Sequence, residues 1–228
     1  MNDLTLLYYS AHKLSPRTED NIRMELIKEA GEYPIVSVTQ KPIDFGTNIC
    51  IGDIGQSHYN AYYQMYVGIQ QVTTEFVAMT EDDTLYNQEH FSFRPPTNNF
   101  YYNKSMWFLE HSKRRPGAFY WHKWQTGMFG CIAPTKLMLQ MLTERFTKYP
   151  KEIHDRKNQK RYWHEPHKNW KIGLPDYPAH YFETHIPLIT MSYYEAIDGK
   201  KKSSADRPAE ASDVPYWGPA QQLWERLI

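Results

Sequence analysis

Apolar residues along the chain alternate between short dense runs and longer stretches in which they recur every three or four positions, so strands and helices are predicted in turn. Leu4 to Tyr9 is a compact apolar run, the length of a strand buried on both faces. Ser15-Pro16 opens a helix, with Ser as N-cap and Pro at the first helical position. Ile22, Leu26, Ile27 and Ala30 follow at helical spacing, and Gly31 ends the helix. Tyr33 to Thr39 is a second strand, β-branched and beginning around its proline. Strand, helix and strand in immediate succession make a βαβ unit, with parallel strands and a right-handed crossover. After a loop at Gly52 to Gly55, Ser57 caps a second helix that runs to about Val72. Tyr59, Tyr62, Tyr66 and Ile69, with Met65 beside them, form its buried stripe. Phe76 to Met79 is a third buried strand.

That third strand ends in three consecutive carboxylates, Glu81-Asp82-Asp83. In an open α/β sheet, ligands bind outside the carboxyl ends of the strands. Adjacent carboxylates repel one another, and a divalent cation carrying an anionic ligand relieves the repulsion. A solvated acidic turn is the alternative. The first strand delivers Tyr9-Ser10-Ala11-His12 to the same edge, and the second is followed by the polar turn Gln40-Lys41-Pro42-Ile43-Asp44-Phe45-Gly46.

Beyond Asp83 the pattern changes. His90 to Phe100, with Pro95-Pro96, reads as irregular. Ser105 to Leu109 and Ala118 to Trp121 are short strands around the basic turn Lys113-Arg114-Arg115-Pro116-Gly117. Gln125 to Ile132 contains two glycines, which suits a strand that approaches a ligand closely. Pro134 opens an amphipathic helix (Leu137, Met138, Met141, Leu142, Phe146), and Pro150 stops it. Ile186 to Met191 is a last apolar strand, Gly199 to Pro208 a flexible loop, and Trp217 to Ile228 a short docking helix.

Composition narrows the function classes. At 228 residues the chain is long enough for one sizeable core. Its formal net charge is zero, so no global field draws it to nucleic acid or membrane. Cys50 and Cys131 lie in apolar contexts and are expected as buried free thiols, with a single disulfide as the alternative. No export signal or membrane span is read, which gives an expectation of a cytoplasmic protein. Neither Gly-x-Gly-x-x-Gly after the first strand nor a Gly-Lys-Ser/Thr loop occurs, which argues against dinucleotide oxidoreductases and P-loop enzymes. Lys151 to Lys171 holds seven basic residues against three acids, with aromatics and histidines interleaved. It suits a stacked nucleic-acid base or a sugar phosphate, or else a solvated connector anchored by its tryptophans. His154, His164 and His167 lack the cysteines and helical spacing of a zinc site.

The order βαβ-α-β with a third strand ending in Glu-Asp-Asp resembles the N-terminal half of a GT-A glycosyltransferase. More closely, Ser37 to Gly46 and Phe76 to Asp83 resemble segments of small family-2-like glycosyltransferases, many of them phage-borne. The likeness runs from the first strand to about Pro150, and the acidic triplet matches the family's Asp-x-Asp motif. It implies a mixed, mainly parallel Rossmann-like sheet flanked by helices, with residues 1–100 as the nucleotide-sugar half and 101–190 as the acceptor half. Residues 191–228 would be an irregular extension packed on that domain.

The resemblance further implies that Tyr9, Ser10, Gln40, Lys41, Asp44 and Asp82 hold the nucleotide of a UDP-sugar donor. Glu81 and Asp83 would hold Mn²⁺ or Mg²⁺ on the diphosphate. An inverting hexosyl or pentosyl transfer needs a general base, for which Glu165 is the candidate and Asp176 the runner-up. Such families often add a metal-binding histidine after the last core strand, where this chain reads Thr190-Met191-Ser192-Tyr193-Tyr194-Glu195. His180, His185 or Glu195 is the alternative there. The basic segments and the phage-like resemblance point to a hydroxymethylated pyrimidine in DNA as acceptor, in a host cytoplasm. A soluble glycan acceptor, a non-catalytic binding module and a metal-dependent nuclease or nucleotidyltransferase are the competing readings.

Overall fold

Burial of the first strand on both faces sets the architecture, because Leu4, Leu6, Leu7 and Tyr8 expose no surface at all. The computed structural model describes residues 2–112, 115–121, 127–150, 165–192 and 209–228. From the N-terminus the chain forms β1 (Leu4–Ser10), α1 (Pro16–Ala30), β2 (Ile35–Thr39), β3 (Thr47–Cys50), α2 (His58–Ile69), β4 (Phe76–Glu81) and β5 (Thr84–Leu85). It continues as α3 (Gln88–Ser92), β6 (Phe100–Asn103), β7 (Met106–Ser112), β8 (Arg115–Trp121), β9 (Cys131–Pro134) and α4 (Thr135–Lys148). The last described elements are β10 (Ala179–Phe182), β11 (Leu188–Ser192), β12 (Ala209–Ala211), the small pair β13 (Asp213–Val214) and β14 (Gly218–Pro219), and α5 (Ala220–Leu227).

The central sheet has seven strands in the order β10-β6-β9-β4-β1-β2-β3. All neighbours pair in parallel except β9, which is antiparallel to both β4 and β6. This is the mixed, mainly parallel sheet flanked by helices that the family resemblance implies. Leu4, Leu6 and Tyr8 pack with Leu26 and Ala30 of α1 on one face. Leu7 and Tyr9 pack with Tyr62, Met65 and Ile69 of α2, and with the Leu137-Met138-Met141-Leu142 stripe of α4, on the other. A second sheet of five strands, β12-β8-β7-β11-β5, carries a third apolar cluster. There Leu109, Phe119 and Ile189 meet Ile22 of α1 and Leu223 and Leu227 of α5, so part of the C-terminal extension is woven into this layer.

Several local expectations hold. Ser15 accepts the Thr18 N–H as N-cap of α1, and Ser57 accepts the Asn60 N–H as N-cap of α2. Strands β7 and β8 form the antiparallel pair around the basic turn, whose Lys113 and Arg114 lie outside the described residues. Others differ. α2 ends at Ile69, and β9 begins only at Cys131, after a 3-10 turn at Met128–Gly130. The sequence pattern misses β3 because it is a short, half-exposed edge strand without an apolar run. It misses β6 because four residues are too few to show a period. Ile27 is 53% exposed although it shares the helical spacing of the core positions. Both cysteines are free as expected, but only Cys131 is buried; Cys50 is exposed at the end of β3.

Two glycines with positive φ make a testable contrast. At Gly46 (φ +60°) an added Cβ would lie 2.3 Å from the Ile35 carbonyl oxygen, whereas at Gly31 (φ +57°) it would meet nothing within 4 Å. Gly31→Ala should therefore cost about 1–2 kcal/mol, the left-handed backbone penalty alone. Gly46→Ala adds a backbone clash and should cost more than about 3 kcal/mol. Urea unfolding of both variants checks the ranking, and equal losses would refute the close approach of the Gly46 turn to β2.

Candidate active site

Because α1 and α2 cover opposite faces, the chain leaves β1 toward β2 on one side and returns to β4 on the other. The carboxyl ends of β1 and β4 therefore form a topological switch point, the place where an open α/β sheet leaves a crevice for ligands. Parallel pairing sets Tyr8 beside Thr80 and Tyr9 beside Glu81, which brings the acidic triplet level with Tyr9 and Ser10. The Tyr9 hydroxyl donates to Glu81 on the α2 face. The Ser10 hydroxyl donates to Asp82 at 2.5 Å, and accepts the His12 N–H at 2.9 Å. Asp83 continues toward β5, where its carbonyl accepts the Met191 N–H of β11 at 2.7 Å. From α2, the Gln64 amide donates to the carbonyls of Ser10 (2.7 Å) and Val38 (2.8 Å), tying the ends of β1 and β2 together.

All three carboxyls are half-buried, and their proton affinities show the strain. Burial pushes Glu81 up to about 7, with Asp82 and Glu165 adding repulsion against the Tyr9 hydrogen bond. Burial likewise lifts Asp82 to about 6, while the Ser10 hydroxyl pulls it down. Asp83 is raised well above the usual carboxylate range, by burial first and then by Glu81 and Asp82. Among the described residues, no three His, Cys, Asp or Glu side chains converge as a ready-made metal cage. The donor set of half-buried, mutually repelling carboxylates nevertheless fits a small divalent cation that is held by one or two carboxylates together with phosphate oxygens.

Glu165 comes from the second half of the chain, and its charge acts on Glu81. It immediately precedes a 3-10 turn at Pro166–Ile172. Its carboxylate lies among Tyr62 of α2, Tyr102 of β6, Cys131 of β9 and Arg145 of α4, and close enough to Glu81 for the two to repel. Burial raises Glu165 to about 7, opposed by Arg145 and then by Lys168. A carboxyl poised there is half ionised at neutral pH, which suits a proton acceptor.

The other sequence-predicted residues are placed less directly. Gln40 is buried, and its amide is engaged with the Ile54-Gly55 backbone: Oε1 accepts both N–H groups at 3.1 Å and Nε2 donates to the Gly55 carbonyl at 2.7 Å. It shapes the loop wall. Lys41 and Asp44 are exposed on the turn after β2. Asp176 is exposed beyond the 3-10 turn, where its charge acts on His167. His180 lies on the edge strand β10 against Tyr101, and His185 pairs with Glu89 at 2.8 Å before β11 begins, so neither is brought to Asp83. Glu195, His154 and His164 fall outside the described residues.

Sequence reasoning missed Tyr102, Arg145, Asn169 and the pair His12–Glu19 (2.7 Å) behind Asp82. One signal was legible: Arg145 interrupts the apolar stripe of α4 four residues after Met141.

Neither protein-family models nor curated proteins match this sequence. Solved structures do match its shape. TarS 1–349 from S. aureus in complex with UDP-GlcNAc aligns at TM-score 0.47 and 13% identity, over 89% of this chain and 62% of that one. A glycosyltransferase involved in glycosylation of the major capsid of PBCV-1 aligns at 0.44 and 10%, over 83% and 93%. The mannosyltransferase PcManGT from Pyrobaculum calidifontis, in complex with GDP-Man and Mn²⁺, aligns at 0.43 and 13%, over 83% and 56%. At such identities and scores the likeness carries no argument about activity, which has to come from the site.

The crowded carboxyls make stability depend on pH with a definite sign. A carboxyl whose folded pKa is raised binds its proton more tightly when folded, so stability falls as pH rises from the unfolded value toward the folded one. Glu81, Asp82, Asp83 and Glu165 all act this way. His90, lowered to about 3 by burial, and His167, also lowered, work in the opposite direction but are outnumbered. The melting temperature should fall between about pH 5.5 and 7.5, at roughly 2–4 °C per kcal/mol lost. A flat or rising profile would show that the carboxyls are not crowded in solution.

Proposed function

We propose that this protein is a metal-dependent glycosyltransferase that moves a sugar from a nucleotide-sugar donor, a UDP-sugar, to an acceptor hydroxyl with inversion. The supporting observation is the juxtaposition at the β1–β4 switch point: three crowded carboxyls at one strand end, with the charge of Glu165, from the other half of the chain, acting on Glu81. The donor nucleotide lies across the ends of β1 and β2, with Ser10 and Asp82 on its ribose and Lys41 and Asp44 on the outer rim. Glu81 and Asp83 are the oxygen ligands for Mn²⁺ or Mg²⁺, which when bound supplies Lewis-acid neutralisation of the diphosphate. Tyr9 keeps Glu81 oriented through its hydroxyl.

Glu165 takes the proton from the acceptor hydroxyl as that oxygen bonds to the anomeric carbon. The bond from that carbon to the diphosphate breaks, and its electron pair leaves with the nucleoside diphosphate. Position and charge of Glu165 carry this step, since general-base catalysis needs a partly ionised group within reach of the proton. Half-burial of the crevice strengthens each of these electrostatic interactions relative to water.

For the acceptor, a hydroxymethylated pyrimidine in DNA is the leading reading, in a cytoplasmic setting. Lys168 and Lys171 stand on the same turn as Glu165, and the rest of the basic stretch 151–164 lies outside the described residues. No described helix is long and apolar enough to cross a membrane.

A panel of UDP-, GDP-, CDP- and TDP-sugars with Mn²⁺ should yield at least one donor that raises the melting temperature and releases its sugar to water. Asp83→Asn and Glu165→Gln should each lower that turnover by roughly 10²–10⁴-fold. Turnover should climb as pH rises through about 7, because Glu165 must lose its proton to act. Binding without turnover would reduce the protein to a sugar-nucleotide binding module, and absence of both would remove the reading altogether.

The acceptor is checked by incubating the enzyme, its donor and hydroxymethylcytosine- or hydroxymethyluracil-containing DNA, then weighing the digested nucleosides. A hexose or pentose mass on the modified base is expected. Transfer to a soluble glycan with none to DNA would overturn the assignment.

A further inference from the structure

A pocket of about 280 Å³ opens where the first residues of β7 and the turn before β11 meet the β13–β14 hairpin. Its apolar wall is Met106, Trp107, Pro187 and Val214, and its polar rim includes His185 and Asp213. Pairing in the second sheet fixes where it lies. The Asp83 carbonyl accepts the Met191 N–H, and Met191 is four residues beyond Pro187. Four residues of strand span about 13 Å, so the pocket stands at the opposite end of β11 from the carboxyl cluster.

Buried polar side chains hold its walls. Asn103, fully buried, donates to Thr184 Oγ1 at 3.0 Å and accepts the Ser105 N–H at 2.8 Å. Ser105 Oγ in turn accepts the Thr184 N–H at 3.0 Å. Asn87, also fully buried, donates to the Ile186 carbonyl at 2.9 Å. The Trp217 indole donates to the Pro187 carbonyl at 2.7 Å and so ties the hairpin to β11. These bonds form the pocket in advance, which lowers the ordering cost of filling it.

The rim is preset as well. Glu89 accepts the backbone N–H groups of His185 (3.0 Å) and Ile186 (3.1 Å). The His185 ring is 99% exposed and yet anchored, with Nδ1 2.8 Å from Glu89. Donation from Nδ1 to that carboxylate fixes the tautomer in which Nε2 is an acceptor. The Asp213 carboxylate is an acceptor too. Trp107 adds a half-buried aromatic surface to the same pocket.

These groups select the ligand. Two acceptors beside an apolar wall suit a molecule with several hydroxyl donors and an apolar face, which describes a pyranose ring. Phosphates are disfavoured, because no described Lys or Arg lines the pocket while Asp213 and nearby Glu89 are negative. Size agrees: about 280 Å³ lies just under the range in which pockets for drug-sized molecules begin, so the pocket takes a single ring. His185, Asp213 and Pro215 are exposed, so the ring can enter while joined to a longer chain.

We propose that this pocket is a second, non-catalytic site for one neutral sugar residue of a glycan, with Trp107 against the ring and Asp213 and His185 accepting from its hydroxyls. Its separation from Asp83 means that it does not hold the sugar being transferred. The proposal therefore stands independently of the transferase reading.

The test is ¹H–¹⁵N NMR of the Trp107 indole N–H, identified by its loss in Trp107→Phe. The protein is titrated with the methyl glycosides of glucose, galactose, mannose and N-acetylglucosamine. At least one should shift that signal to saturation. Asp213→Ala should weaken binding of the same glycoside about tenfold, through loss of a charged hydrogen-bond acceptor. His185→Ala, at the other exposed rim position, should weaken it as well, and it decides the matter if Asp213→Ala is not folded by circular dichroism.

No saturable shift with any of the four, or affinity undiminished in the folded rim variants, overturns the proposal. A response to uridine or inorganic phosphate and to none of the glycosides overturns it too. Donor hydrolysis should be unchanged in Asp213→Ala, and its loss in folded protein would overturn the non-catalytic assignment. The binding measurements need no donor, so failure of the transferase reading leaves them decisive.

Discussion

The parallel register of β1 with β4 is the constraint on which the rest depends. It places Tyr9 beside Glu81, and a slip of one residue would turn every side chain of one strand to the wrong face. Two apolar clusters enforce it from opposite sides, with Leu6 and Tyr8 locked under α1 and Leu7 and Tyr9 locked under α2. Hydrophobic burial along six residues thus determines, at the seventh, which carboxyl meets which hydroxyl. The crevice follows from core packing, and its chemistry from the polar residues at the strand ends.

Charges elsewhere in the described residues mostly have inexpensive solutions. Arg94 meets Asp3 at 2.7 Å near the surface, and both remain accessible to water. At the switch point the opposite holds: carboxyls are gathered, half-buried and pushed toward neutral proton affinities. Natural sequences tolerate such local conflict where function requires it, and the surrounding core supplies the stability that the site gives up. The same logic applies to the orphaned polar atoms under α1. Thr80 Oγ1 and His12 Nε2 lack partners among the described residues, and each lies two residues from Asp82 or Ser10.

The two halves of the chain contribute unequal kinds of support. In the first half, strand ends deliver the polar groups, and Gln64 and Gln40 brace the loops around them. In the second half, Glu165 comes from an irregular turn, so its placement depends on side-chain interactions with α4 rather than on sheet hydrogen bonds. Precision of that kind needs a rigid support, and a buried planar Arg held at two nitrogens provides one.

Much of this was legible from residue order. Periodicity and capping residues located β1, α1, β2, α2, β4 and α4, because each is long enough to show its period or carries its own start signal. The acidic triplet marked the candidate site, because three adjacent carboxylates at the end of a buried strand repel one another. What the sequence could not show were contacts between residues distant along the chain. Nothing local marks Tyr102 as acting on Glu165 or Asn169 as the partner of Arg145, and nothing in Gln40 says that its amide binds a backbone loop 14 residues away. Edge strands such as β3 were invisible because backbone pairing, not an apolar pattern, defines them. The sequence by itself determined where buried strands end and which polar residues stand there, because burial and capping act over a few neighbouring residues. Tertiary structure alone decided which of those residues face one another, because packing across the sheet sets distances that sequence spacing does not encode.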